Sequence, residues 1–191
     1  MAPASAEPSL SEKVLLIEAT LHTARIPHAF GGAIALAYYA TPRATIDIDV
    51  NVFVESDRAD DVLAALGRLG AEEPTEAEAV RLHRDGQTRI RWESTPIDLF
   101  FSYDAFHGAC QERRRAFPFG EGETIHVLEA EDLVIFKAIF DRDKDWRDIA
   151  ELVFAMADEL DAEWIERWLD RIVGREDERY LRCVEALAKR V

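Results

Sequence analysis

Two aspartates, Asp47 and Asp49, stand at i and i+2 in the alternating segment Ile46-Asp47-Ile48-Asp49-Val50. On an extended strand this spacing points both carboxylates the same way, roughly 7 Å apart at the backbone. Two like charges so close are costly unless cations neutralise them. Divalent metals with oxygen ligands do this, and Mg²⁺ characteristically takes one or two carboxylates together with substrate phosphates. Two such ions can clamp the attacking and leaving oxygens of an in-line phosphoryl displacement. A third carboxylate is wanted on a neighbouring strand, and Asp98 is the candidate. It is a single acid in the apolar run Thr95-Pro96-Ile97-Asp98-Leu99-Phe100-Phe101. An ionised acid there needs a reason, which a metal would supply. A solvent-facing place on an edge strand is the alternative.

Upstream, Gly31-Gly32 opens the helix-forming stretch 33–40. Glycine lets a backbone approach a phosphate closely, and a helix N-terminus offers free N–H groups and a partial positive charge. A bare glycine pair is more often just a turn, so its weight comes from its distance to the aspartates. Arg43 either lies in a loop beside Pro42 or reaches a triphosphate bidentately. Lys137 is the only charge between Leu133 and Phe140. It either snorkels to solvent or meets a phosphate. Asp145 and Asp148 share one flank of a helix whose core stripe reads Trp146, Ile149, Ala150 and Val153. Capping and surface ion pairs compete with a site role for both.

The elements that must position these groups follow from periodicity and punctuation. A helix is expected from Ser11 to Arg25, capped by Ser11, with Leu15-Leu16 toward the core and Pro27 ending it. A short strand at 28–30 runs into the glycines. Residues 46–54 read as a strand with Ile46, Ile48, Val50, Val52 and Val54 on one face and Asp47, Asp49, Asn51 and Phe53 on the other. A helix capped by Asp57 runs to Leu69. The Glu-rich stretch 72–78 reads as loop and short helix. Two strands, 88–93 and 97–102, flank Ser94-Thr95-Pro96. A helix at 104–115 and a strand at 124–128 follow. From Glu129 onward everything reads as helix, over 131–141, 143–157, 162–173 and 176–189. Trp164, Ile165, Trp168, Leu169 and Ile172 form a buried stripe.

The chain has 191 residues, 48% of them hydrophobic, enough for one domain with a real core and a helical appendage. No apolar run approaches the roughly 18 residues of a membrane span. The N-terminus lacks a basic region followed by an apolar stretch, so it does not read as a secretory signal. Cys110 and Cys183 have no paired spacing, which fits a reduced cytoplasmic compartment. The net charge of −15 argues against broad nucleic-acid binding, DNA included. The five histidines show no metal-ligand spacing, so a zinc site is not expected. Arg113-Arg114-Arg115 could meet a polynucleotide or nucleotide phosphate but reads first as a solvated helix end, and Ser94, Ser102 and Cys110 lack the context of a nucleophile.

Phe30-Gly31-Gly32, then fourteen residues, then Ile46-Asp47-Ile48-Asp49-Val50, then Asp98 together resemble the DNA polymerase β-type nucleotidyltransferase superfamily. Its minimal members carry hG[GS], about a dozen residues, Dh[DE]h and a later acid. The gap here is slightly longer, and the motif's second residue is Gly rather than Ser. The string GGAIALAYYATPRATIDIDV is similar to the AbiEii-type branch, which includes toxins of bacterial toxin–antitoxin pairs. Tyr38 or Tyr39, Arg43 and Thr45 match that branch, as do Lys137 in an apolar helix and Lys144-Asp145-Trp146-Arg147-Asp148-Ile149. The likeness covers residues 28 to about 152.

The resemblance implies an α+β fold: a short mixed sheet flanked by helices, followed by a C-terminal helical region. With the N-terminal composition and the change to all-helix at Glu129, the expected layout is a flexible leader over 1–10, a nucleotidyltransferase core over 11–128 and the helical region over 129–191. The resemblance further implies Mg²⁺-dependent transfer of a nucleoside monophosphate from an NTP to an acceptor hydroxyl on RNA, protein or a small molecule, with a cognate antitoxin as a potential partner. Asp47, Asp49 and Asp98 would hold two Mg²⁺ ions. Asp98 would also accept the acceptor's proton. Lys137 would join them in catalysis, and Gly31, Gly32, Arg43, Thr45, Asp145 and Asp148 would bind nucleotide. The competing class is a catalytically silent nucleotide- or partner-binding protein of the same fold.

Overall fold

The computed structural model describes residues 7–189. The first six residues of the expected leader lie outside the described residues. The rest of that leader is engaged: Ser9 caps the first helix, α1 (Leu10–Thr23), in a capping box with Glu12. The cap thus sits two residues earlier than Ser11, because Glu12 can reach back only to Ser9. The buried face of α1 is Val14, Ile17 and Leu21, whereas Leu16 is exposed.

The chain divides into two compact units. The first comprises the chain up to Phe30 together with Thr45–Val127. It contains α1 and the six strands found among the described residues: β1 (His28–Phe30), β2 (Ile48–Glu55), β3 (Gln87–Trp92), β4 (Thr95–Ser102), β5 (Arg115–Pro118) and β6 (Thr124–Val127). The sheet order is β3-β4-β2-β1-β6-β5. β2 runs parallel to β4, and β1 parallel to β6, while the other neighbours are antiparallel. β2 is therefore interior, and both of its faces are largely covered. Ile46 and Asp47 precede it in a bend, and Ile46 is exposed, not part of the apolar face. β5 was not foreseen. It is a short, mostly exposed strand ending in proline, with no alternation to reveal it.

Three further helices belong to this unit: α3 (Ala59–Gly67), α4 (Glu76–Asp85) and α5 (Ala105–Arg113). α4 extends well past the expected short helix. Thr75 caps its start, and Gly86 ends it at φ 65°, a conformation that suits glycine. The N-terminal helix is tied to the β3–β4 hairpin by Lys13, whose side chain is fully buried. Its ammonium donates to Glu7 at 2.6 Å, to the Trp92 carbonyl at 2.9 Å and to the Thr95 hydroxyl at 3.0 Å.

The second unit comprises Gly31–Ala44 and the chain from Leu128 onward. Its helices are α2 (Gly32–Tyr39), α6 (Ala130–Phe140), α7 (Asp143–Met156), α8 (Ala162–Ile172) and α9 (Glu178–Ala188). α2 packs on α6 and α7, so the glycine-led segment belongs with the C-terminal helices although it lies early in the chain. Tyr39 fastens it by donating to the Leu128 carbonyl at 3.0 Å. Buried acids organise α6. Asp132 accepts from the Trp164 indole at 2.8 Å, and Glu131 accepts from the Asp161 backbone at 3.1 Å. In α7 the buried apolar stripe is Trp146, Ile149, Leu152 and Val153, with Ala150 exposed. Of the foreseen α8 stripe, Ile165, Trp168 and Leu169 are buried and the two flanking residues are half-buried.

Replacing Lys13 by Met keeps most of the volume but leaves a buried carbonyl and hydroxyl short of a donor. Urea unfolding of Lys13→Met should show a loss of about 2–4 kcal/mol. An unchanged midpoint would mean that water replaces the ammonium.

Candidate nucleotide and metal site

Within the first unit, three adjacent strands bring three charges into one lateral row. Asp49 on β2 pairs in register with Asp98 on β4, and Asp98 pairs with Arg89 on β3. Residues opposite one another in neighbouring strands lie about 4.8–5.5 Å apart and share a face. Arg89 clasps Asp98 bidentately, Nε to Oδ1 at 2.7 Å and Nη2 to Oδ2 at 2.6 Å. The same Nη2 lies 4.0 Å from the Asp47 carboxylate. Asp47 stands just ahead of β2, where the Thr45 hydroxyl donates to its carboxylate and its own backbone N–H returns to the Thr45 oxygen at 3.4 Å. Thr45 thus orients Asp47.

β4 is an interior strand, so Asp98 does not sit on a sheet edge. Its charge is met by Arg89, a residue that the carboxylate pattern alone does not reveal. The signal was present. β3 and β4 form a hairpin with Trp92 opposite Thr95, and counting back three residues from that pair sets Arg89 against Asp98. The Asp98 hydrogen bonds hold the Arg89 guanidinium more firmly in its charged form. Desolvation opposes this, and Asp47 and Asp49 add to it.

Three carboxylates facing one guanidinium leave an excess of negative charge at the start of β2. The Arg89 head is itself a cation drawn into this carboxylate group. The donor set is all oxygen, which suits Mg²⁺ and not a softer metal. Asp47, Asp49 and Asp98 are therefore a fitting set for that ion.

The second unit holds the remaining foreseen residues. Gly31 caps α2 without a side-chain hydrogen bond, and Gly32 adopts φ 53°. That left-handed geometry suits glycine, and an alanine there would be strained by about 1 kcal/mol. Arg43 meets Asp148 with two bonds of 3.2 and 3.1 Å. Lys137 is only 5% exposed and donates to the same carboxylate at 2.6 Å. It lies 3.8 Å from Asp145, whose oxygens also accept from the Arg142 side chain. Lys137 therefore does not snorkel to solvent. Asp145 and Asp148 are buried, so surface pairing does not describe them either. Asp145 does cap α7, accepting from the Arg142 backbone at 3.3 Å. The fold gathers Arg43, Lys137, Asp145 and Asp148 into one ion-paired cluster drawn from three chain segments.

No protein-family model and no curated protein matches the chain. Among solved structures, it is similar to an antigenic nucleotidyltransferase-like protein from Paracoccidioides brasiliensis. That match has 14% identity and a TM-score of 0.52, and covers 95% of this chain and 93% of the other. The fold is nucleotidyltransferase-like. A second likeness, to the antibiotic-resistance factor ANT(2'')-Ia, has 15% identity and a TM-score of 0.48, over 93% of this chain and 89% of that one. The 14% identity of the first of these speaks to architecture alone.

Burial raises the Asp148 proton affinity, but hydrogen bonds from Arg43 and Lys137 outweigh it and hold the group below the ordinary 3.8. A depressed carboxylate contributes stability that is present above its unfolded value and is lost as pH falls through the folded one. Asp148→Asn should therefore cost about 3–5 kcal/mol near neutral pH, the scale for breaking a buried pair. In urea titrations this difference from wild type should shrink once pH nears 3.8 and below. A pH-independent difference would show that the carboxylate charge contributes nothing.

Proposed function

We propose that the chain is a Mg²⁺-dependent nucleotidyltransferase that moves a nucleoside monophosphate from an NTP to an acceptor hydroxyl. The observation that carries this reading is the register of Asp49 with Asp98, flanked by Asp47, around a single guanidinium. In the transfer, the acceptor oxygen bonds to the α-phosphorus and the bond from that phosphorus to the β-phosphate oxygen breaks. Pyrophosphate leaves with the electron pair. Bound Mg²⁺ would supply charge neutralisation at the phosphates. Asp47, Asp49 and Asp98 hold the metal, and Thr45 keeps Asp47 aimed. Asp98 takes the acceptor's proton, which requires Arg89 to release it, because both Asp98 oxygens accept from that side chain. Arg89 released from Asp98 is placed to pair with phosphate oxygens.

In the second unit, the N–H groups that open α2 serve as a phosphate-binding element. Arg43, Lys137, Asp145 and Asp148 act first as its internal ion-pair cluster. An AbiEii-like assignment is part of this proposal, in which Arg43 and Lys137, from both of that branch's motif segments, share Asp148. A toxin role with a cognate antitoxin and a cytoplasmic location belong to the same reading. Cys110 and Cys183, both buried and outside any disulfide, agree with the location. The net charge of −15 weighs against a polyanionic acceptor and toward a protein or small-molecule hydroxyl.

Incubation with each labelled NTP, Mg²⁺ and a cell extract should label an acceptor, and Asp49→Ala should reduce labelling by at least a thousandfold, about 4 kcal/mol. NTP binding without transfer, for all four nucleotides, would favour the silent binding protein. Separately, Arg89→Met removes the cation that competes at the carboxylates. Calorimetry should then show tighter Mg²⁺ binding in the absence of nucleotide and slower transfer in its presence.

A further inference from the structure

Three side chains outside the carboxylate row meet in the first unit. Glu18 on α1, His28 on β1 and His126 on β6 bring their ligand atoms within 4.8 Å of one another. His28 Nε2 lies 3.0 Å from Glu18 Oε2, and His126 Nδ1 lies 2.7 Å from Glu18 Oε1. The His126 backbone N–H also donates to Glu18 at 3.0 Å. Glu18 and His28 are buried. Linear spacing hides this group, because the β1–β6 pairing and the packing of α1 on β6 bring its members together.

The proton positions on His28 decide what the cluster can hold. Nδ1 lies 2.9 Å from the Ile26 carbonyl oxygen. A carbonyl only accepts, so Nδ1 carries a proton. In a neutral imidazole Nε2 is then a bare lone pair. It faces a carboxylate oxygen, which also only accepts when ionised. Between those two acceptors the geometry calls for a bridging proton or a metal ion. Metal-bound histidine almost always donates its other ring N–H to a carbonyl or carboxylate, as Nδ1 does here.

Two imidazoles and one carboxylate are a three-ligand set that zinc adopts with a fourth position open. Tetrahedral ligands at about 2.1 Å from the ion stand about 3.4 Å apart. The two observed His–Glu separations, 3.0 and 2.7 Å, fall short of this, and all three ligand atoms lie within 4.8 Å of one another, so the side chains would open slightly around an ion. A recess of about 600 Å³ lies beside His28 and His126, bordered by His22, Arg25, Pro27 and Arg114, and gives a fourth ligand access. We propose that Glu18, His28 and His126 form a transition-metal site, with Zn²⁺ the best fit, that clamps α1 to β1 and β6. The site is distinct from the all-oxygen aspartate set, and ligand softness sorts the two ions between them.

Metal-free wild-type protein titrated with Co²⁺ as a spectroscopic probe, and with Zn²⁺ by calorimetry, tests this directly. One equivalent should bind, with the strong visible absorption of a tetrahedral Co²⁺ centre and a rise in thermal midpoint on adding Zn²⁺. His28→Gln and Glu18→Gln should each weaken binding at least tenfold, while Asp49→Ala should leave it unchanged. The wild-type spectrum decides the question even if a variant fails to fold. Wild type without the tetrahedral signature overturns the proposal and leaves a hydrogen-bonded histidine–carboxylate cluster. A signature abolished by Asp49→Ala but kept in His28→Gln also overturns it, by placing the ion at the aspartates.

Discussion

Like charges on neighbouring strands repel, and this constraint shapes the first unit. Asp49 and Asp98 stand side by side in the sheet, with Asp47 one step ahead. Such a row persists only with a counter-cation. In the free protein Arg89 supplies one, from the far side of β4 and in direct register. This places the row's energetics on a hairpin. The β3–β4 pairing sets where Arg89 falls, and Lys13 anchors that hairpin to α1. A change in hairpin register by one residue would turn Arg89 to the opposite face and leave the carboxylates without it.

The same rule of paired charge recurs through the interior. Lys137 and Arg43 converge on Asp148, Glu18 lies between two histidines, and Asp132 takes the Trp164 indole. Each replaces lost hydration with a hydrogen bond or an opposite charge, because an isolated buried charge is costly. With so many acids in the chain, the few that are buried have found specific partners. In the carboxylate row Arg89 holds Asp98, and under the proposed function a bound metal would compete with that guanidinium for the same carboxylate.

Much of the fold was legible because its signals are local. Alternation marked β2, an apolar run marked β4, and helical period marked α6 to α9. The i, i+2 spacing identified Asp47 and Asp49 as a pair before any strand was placed, although Asp47 lies in the bend ahead of β2. Partners set by register or long-range packing were less visible. Arg89 needed the hairpin turn to be located, since Thr95 already belongs to β4. Glu18, His28 and His126 lie on three separate elements. β5 carried no hydrophobic period at all. Lys137 was conspicuous as a lone charge in an apolar helix, but its partners sit on the next helix and in the loop after α2.

Cation exchange at the aspartates is the point on which the functional reading turns. Crystals grown with Mn²⁺ and a non-hydrolysable NTP would show it through the anomalous signal of manganese. Expected are peaks within coordination distance of Asp47, Asp49 and Asp98, with the Arg89 guanidinium moved off Asp98 toward the phosphates. Bound nucleotide with the Arg89–Asp98 pair intact and no manganese at the three aspartates would contradict it.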